Sequence, residues 1–140
     1  MSLPVQRPEF FLDRSLGRFA VASRLRAAGW ELVTFAEHHG DPGPGQLTDS
    51  QWIRAAAGHE WPILMKDKRI RYRQATIDLI IQHRAQCFVI ARGDLTSGEI
   101  AQRFLANRRA IYEATAQPGP RIYVVRSGRL DRLPHASPEL

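Results

Sequence analysis

Along this chain short apolar runs alternate with stretches of helical periodicity, and few architectures accept that order. Phe10, Phe11 and Leu12 form a brief apolar run behind Pro8 that reads as a first strand ending at Asp13. From Leu16 the apolar positions Leu16, Phe19, Ala20, Ala22 and Leu25 recur at helical spacing, and Gly29 supplies a stop. Trp30 to Phe35 then alternates as a second strand would. Strand, helix, strand is the βαβ unit, whose strands lie parallel when the usual crossover applies.

The remainder repeats the pattern. The segment Glu37 to Leu47 holds Gly40, Pro42, Gly43, Pro44 and Gly45, which sustain neither helix nor ladder, so a loop is expected, either a lip over a site or a plain insertion. A second helix is expected from Thr48 or Asp49 to about Gly58, and a third strand from Trp61 to Met65. Ile77, Leu79, Ile80 and Ile81 predict a short buried helix ending near His83, and Cys87 to Ala91 a fourth strand. Thr96 and Glu99 have the spacing of a capping box, opening one long helix through Ile111 that Gln117 to Pro120 terminates. Ile122 to Val125 is a fifth strand, with Leu130 to Leu133 a short return. The fold class is therefore α/β, a single domain over 1–133 with a mostly parallel central sheet flanked by helices, and 134–140 is a loose tail.

Composition narrows the partners. Twenty Lys and Arg face fourteen Asp and Glu, a formal net charge of +6 that favours phosphate backbones over acidic small solutes. The opening Met1 to Pro8 has no apolar h-region and no stretch nears the roughly 20 apolar residues of a membrane span, so no membrane association and a cytoplasmic location are expected. The single cysteine, Cys87, lies against Phe88, Val89 and Ile90 and reads as core. Neither H-E-x-x-H, G-x-S-x-G, Walker A nor a strand-linked G-x-G-x-x-G occurs; His38 and His39 are adjacent, with His59, His83 and His135 isolated along the chain. Trp30, Trp52 and Trp61 read as packing residues.

Carboxylates and cations carry the functional signal. Asp13, Asp67 and Asp94 each follow an expected strand, and Asp49 opens a helix on the same rim. Taken singly, Asp13 and Asp49 serve equally well as N-caps, Asp94 as a turn residue and Asp67 as a partner for its basic neighbours. Taken together, acids at the carboxyl ends of neighbouring parallel strands point into one crevice, where a hard divalent cation neutralises them. Around Asp67 stand Lys66, Lys68, Arg69, Arg71 and Arg73, suited to drawing in a polyanion. Two classes remain open: a metal-dependent hydrolase of phosphodiesters, and a nucleic-acid-binding module whose carboxylates are only structural.

The runs Phe10 to Gly17, Glu37 His38, Asp49 to Ile53 and, most specifically, Lys66 to Arg73 resemble the PIN-domain ribonucleases, in particular a VapC-like toxin branch. The resemblance implies an endoribonuclease with Mg²⁺ or Mn²⁺ at an acidic site, an RNA substrate and a cognate antitoxin protein; self-association as a homo-oligomer through a helical face is a further expectation. It assigns catalysis and metal binding to Asp13, Asp49 and Asp67, with Asp94 a weaker fourth ligand. A housekeeping PIN-type nuclease without toxin role fits the same residues. The branch tends to show Pro and then Glu after Arg73, where this chain has Gln74, Ala75 and Thr76; Asp78 or Asp94 would have to substitute for that Glu.

Overall fold

The structure, a computed structural model, describes residues 7–40 and 47–134. Six strands form one sheet: β1 (Glu9–Leu12), β2 (Glu31–Thr34), β3 (Ile63–Lys66), β4 (Gln86–Ile90), β5 (Arg121–Val125) and β6 (Leu130–Arg132). Their spatial order is β2-β1-β3-β4-β5-β6, parallel throughout except for the antiparallel β5–β6 pair. The chain steps from β1 to β2 on one side and returns to place β3 on the other. The strand order therefore reverses between β1 and β3, and in open α/β sheets ligands bind at such a switch point, beyond the carboxyl ends of the strands.

Helices cover both faces: α1 (Ala20–Ala27), α2 (Phe35–His39), α3 (Asp49–Gly58), α4 (Gln74–Gln82), α5 (Ser97–Ala106) and α6 (Arg108–Thr115). A strand buried on both sides needs apolar residues at every position. β1 meets this with Phe10, Phe11 and Leu12 all fully buried. Phe11 joins Trp52, Ile53, Ile77 and Ile80 of α3 and α4 in one core. Phe10 and Leu12 join Val21, Leu25, Ile100, Phe104 and Ile111 from α1, α5 and α6 in the other. Burial of each such side chain contributes about 1.5–3 kcal/mol. Trp30 and Trp52 are buried, in keeping with a packing role.

Three local features depart from the sequence expectation. Phe35 does not extend β2; it begins α2, because the Thr34 hydroxyl accepts from Glu37 N and the Glu37 carboxylate accepts from Thr34 N. The helix expected from Leu16 starts only at Ala20. Asp13 instead caps a 3-10 turn over Arg14–Leu16, Gly17 takes φ +79° at its end, and Phe19 is left 71% exposed. The long helix expected through Ile111 is two, broken at the buried Asn107, whose Nδ2 donates to the carbonyls of Arg103 (2.9 Å) and Arg126 (2.8 Å). The Thr96–Glu99 capping box and the Gly29 stop are present as expected. Most of the Gly/Pro stretch and residues 135–140 of the expected tail lie outside the described residues.

Candidate active site

At the switch point a cleft of about 300 Å³ is lined by Asp13, Asp49 and Asp67 together with Arg14, Lys66, Arg73 and Thr76. A hollow of about 560 Å³ lies elsewhere, around Arg7, Glu60, Pro62 and Glu113, but it gathers no comparable carboxylate set. Chemistry, not size, selects the smaller cleft.

The walls of the cleft follow from how β1 and β3 end. Phe11 N donates to Pro62 O and Asp13 N to Leu64 O, so the next upward step of this parallel ladder falls to Lys66 N. The Asp13 carbonyl is not available to it, because the chain has turned and that oxygen accepts from Leu16 N. Ser15 Oγ takes its place, accepting from Lys66 N at 3.0 Å. One hydroxyl thus joins the turn that carries Asp13 to the strand end that delivers Lys66 and Asp67.

Each carboxylate is held differently. Asp13 is 6% exposed and accepts from Ser15 N at 3.1 Å. Burial pushes its pKa above the ordinary carboxylate value, and the donors of Ser15 and Arg14 offset this only in part. Such an anion gains from any cation brought beside it. Asp67 is mostly covered, accepting from Arg69 N and from Arg73 Nε, both at 2.9 Å. Asp49, in the exposed first turn of α3, accepts from Trp52 Nε1 at 3.0 Å. Arg14 lies over the Phe35 ring at 4.8 Å and donates to Leu47 O; its place in the cleft, signalled only by its position after Asp13, was not expected.

Asp94 does not join the other three. It stands exposed in a two-point contact with Arg92, at 2.9 and 2.6 Å, and does not line the cleft. Asp78 accepts from Gln74 Nε2, also outside the cleft, so neither replaces a glutamate at the site of Thr76. Thr76 itself is buried there. Glu37 faces Arg26 at 2.7 Å, which lowers its pKa. Of the basic cluster, Lys66 and Arg73 line the cleft, and Lys68, Arg69 and Arg71 are exposed beyond it. His59 is not isolated in space: its ring lies 5.1 Å from His38 and stacks on Trp61 at 4.2 Å. Cys87 is fully buried and desolvation drives its thiol pKa far up, which removes it as a nucleophile.

Among the described residues no group of three or more His, Cys, Asp or Glu side chains forms a ready cage for a metal ion. Mg²⁺ does not need one, since it keeps several waters and takes one or two carboxylates. An all-oxygen set of three aspartates around one cleft, one of them destabilised by its own burial, fits Mg²⁺ or Mn²⁺ and suits zinc poorly. No described helix is long and apolar enough to cross a membrane.

Residues 8–92, which include the cleft residues, match the family model described as "PIN like domain". The chain is also 34% identical over 123 residues to a protein of Mycobacterium tuberculosis (strain ATCC 25618 / H37Rv) named "Putative ribonuclease VapC45"; the match covers 88% of this chain and 89% of that one. No solved structure matches the chain.

Proposed function

The chain belongs to the PIN-like domain family, and from that premise we propose that it is a metal-dependent endoribonuclease, the toxin of a type II toxin–antitoxin pair. The observation that carries the catalytic reading is the meeting of Asp13, Asp49 and Asp67 in one cleft at the sheet's switch point, with cationic side chains on its walls. The toxin role and the antitoxin partner rest on family resemblance alone.

In this reading Asp13, Asp49 and Asp67 hold Mg²⁺ or Mn²⁺ directly or through its waters. When bound, such an ion supplies Lewis acidity and lowers the pKa of a water that attacks the phosphodiester. Asp13 is preset by the Ser15 N contact, so its carboxylate needs little reordering on binding. Lys66 and Arg14, at the wall, offset negative charge growing on the phosphate oxygens. Lys68, Arg69 and Arg71 carry the flanking backbone, and Arg73 restrains Asp67.

One observation favours a second reading. Thr76 is buried in the cleft where the branch tends to have a carboxylate, so a module that binds RNA without cutting it remains the alternative. The experiment is incubation of purified protein with a mixed RNA pool in Mg²⁺, in Mn²⁺ and in EDTA, beside the Asp67→Asn variant. Cleavage in either ion, abolished by EDTA and by Asp67→Asn while RNA binding holds, is the expected result. Cleavage in EDTA, or full activity in the variant, overturns the mechanism; binding without cleavage throughout selects the non-catalytic module.

A further inference from the structure

A second cleft, of about 470 Å³, opens on the same rim of the sheet, two strands away from the aspartates. Its lining is Arg92, Arg103, Arg126, Ser127, Gly128 and Arg129, without one apolar side chain. Arg92 follows β4, Arg126 follows β5, Arg129 stands in the turn before β6, and Arg103 projects from α5. No run of the sequence announces this site, because its four arginines meet only through the order of β4 and β5.

The charges do not cancel. Asp94 pairs with Arg92, and Asp131 is shared between Arg126 and Arg129, each at 2.9 Å. Glu99, the remaining nearby acid, accepts from Thr96 N and still acts electrostatically on Arg92. Four guanidinium groups thus face three carboxylates across open solvent, which leaves the cleft net positive. Among the described residues the one hydrogen bond Arg103 makes within the cleft is a long one, 3.5 Å, to a neutral acceptor, the carbonyl of Val125, and its link to Asp94 is through-space only. A polar hollow with excess guanidinium is built for an anion with several oxygens, and Arg is the side chain that meets phosphate in a forked geometry.

We propose that this arginine cleft is a phosphate subsite for the same RNA strand whose scissile bond lies at the aspartate cleft; the assignment rests on the nuclease reading. The centres of the β1/β3 and β4/β5 gaps are two strand spacings apart, on the order of 10 Å, a short stretch of single strand. Between them Asp67 N donates to Ile90 O, and Lys68 lies close to Gly93, so Lys68 bridges the two clefts along the rim. A strand leaving the aspartates over β3 and β4 therefore passes Lys68 and Arg92 before it reaches Arg103.

The test uses the full chain in EDTA, so that binding is read without cleavage, with single-stranded RNA probes of three and of ten nucleotides. Affinity is measured across a salt series for wild type, Arg103→Gln, Arg129→Gln and Arg103→Lys. Loss of one phosphate contact on a single strand removes about 0.7 from the log–log salt slope, about fivefold in affinity at 0.1 M salt. That loss is expected for the ten-nucleotide probe in each Gln variant, and for the trinucleotide too, since in EDTA the bare carboxylates repel it and the arginine cleft is left to bind it, with Arg103→Lys keeping most of the slope. Unchanged binding of either probe in the Gln variants, or no RNA binding by wild type, overturns the subsite. Unchanged RNA binding with loss of an acidic protein partner assigns the cleft to that partner instead. Failure of the nuclease reading shows separately, as absence of metal-dependent cleavage.

Discussion

Replacing Ser15 by Ala tests whether one hydroxyl holds the two halves of the aspartate cleft together. The substitution leaves Asp13 its backbone contact to Ser15 N but removes the acceptor for Lys66 N and the hydrogen bond of the Ser15 side chain to the Asp13 carboxylate. Lys66 is half-buried, so water reaches the orphaned N–H only in part. An unsatisfied donor costs about 1–3 kcal/mol, and partial access places this one at about 1–2. For a chain of this length that lowers Tm by about 3–7 °C. The larger effect is expected on cleavage, because β3 then ends one hydrogen bond early and Lys66 and Asp67 are free to drift from Asp13. A misplacement of about 1 Å costs on the order of a hundredfold in rate. Thermal denaturation followed by circular dichroism, beside single-turnover cleavage of one RNA, reads both quantities. Ser15→Thr keeps the hydroxyl and is expected to recover most of each. If Ser15→Ala melts within a degree of wild type and cleaves at the same rate, water replaces the hydroxyl without penalty and the ladder argument is wrong.

Asp13→Asn is expected to stabilise the fold at neutral pH while abolishing cleavage. Burial raises the Asp13 pKa above its unfolded value of 3.8, so the folded state binds the proton more tightly and wild type gains stability as pH falls through the folded pKa toward 3.8. The Tm advantage of Asp13→Asn should accordingly narrow on acidification, and a gap independent of pH refutes the burial argument. Mg²⁺ should raise the Tm of wild type and not of the variant. Asn107→Ala strips two part-buried carbonyls, those of Arg103 and Arg126, of their shared donor, at about 1–3 kcal/mol. Chemical denaturation at 25 °C measures it, and no loss of stability would mean that the break between α5 and α6 is set by the surrounding packing.

Much of the architecture was legible because its signals are local. Apolar runs behind Pro8 and around Cys87 read as central strands, and the Thr96–Glu99 pair marks where a helix begins. The same pair occurs at Thr34 and Glu37, but the alternation of Trp30 to Phe35 reads as strand and the glycines and prolines after Glu37 read as loop, which together hide α2. Asn107 was missed for the opposite reason: apolar spacing runs on from Phe104 to Ile111 across the break, and only the carbonyls it bridges reveal the corner. Placing each acid beyond a strand or at a helix start anticipates that Asp13, Asp49 and Asp67 line one cleft. The same rule failed for Asp94, since following a strand says nothing about which arginine waits beside it. The arginine cleft was out of reach, because residues 92, 103, 126 and 129 become neighbours only when β5 is laid against β4.

The double-sided burial of β1 also governs where the chain tolerates changes in length. Phe10 and Phe11 sit on opposite faces of the sheet, in different cores, so a single residue inserted or deleted between Pro8 and Asp13 exchanges their faces. It would also swing the Asp13 carboxylate away from Lys66 and Asp67. The turn between β5 and β6, by contrast, has open space around Gly128 and no core side chain to misplace. An insertion scan across the chain should therefore find its sharpest intolerance in four residues near the amino terminus, and latitude at the carboxyl-terminal hairpin.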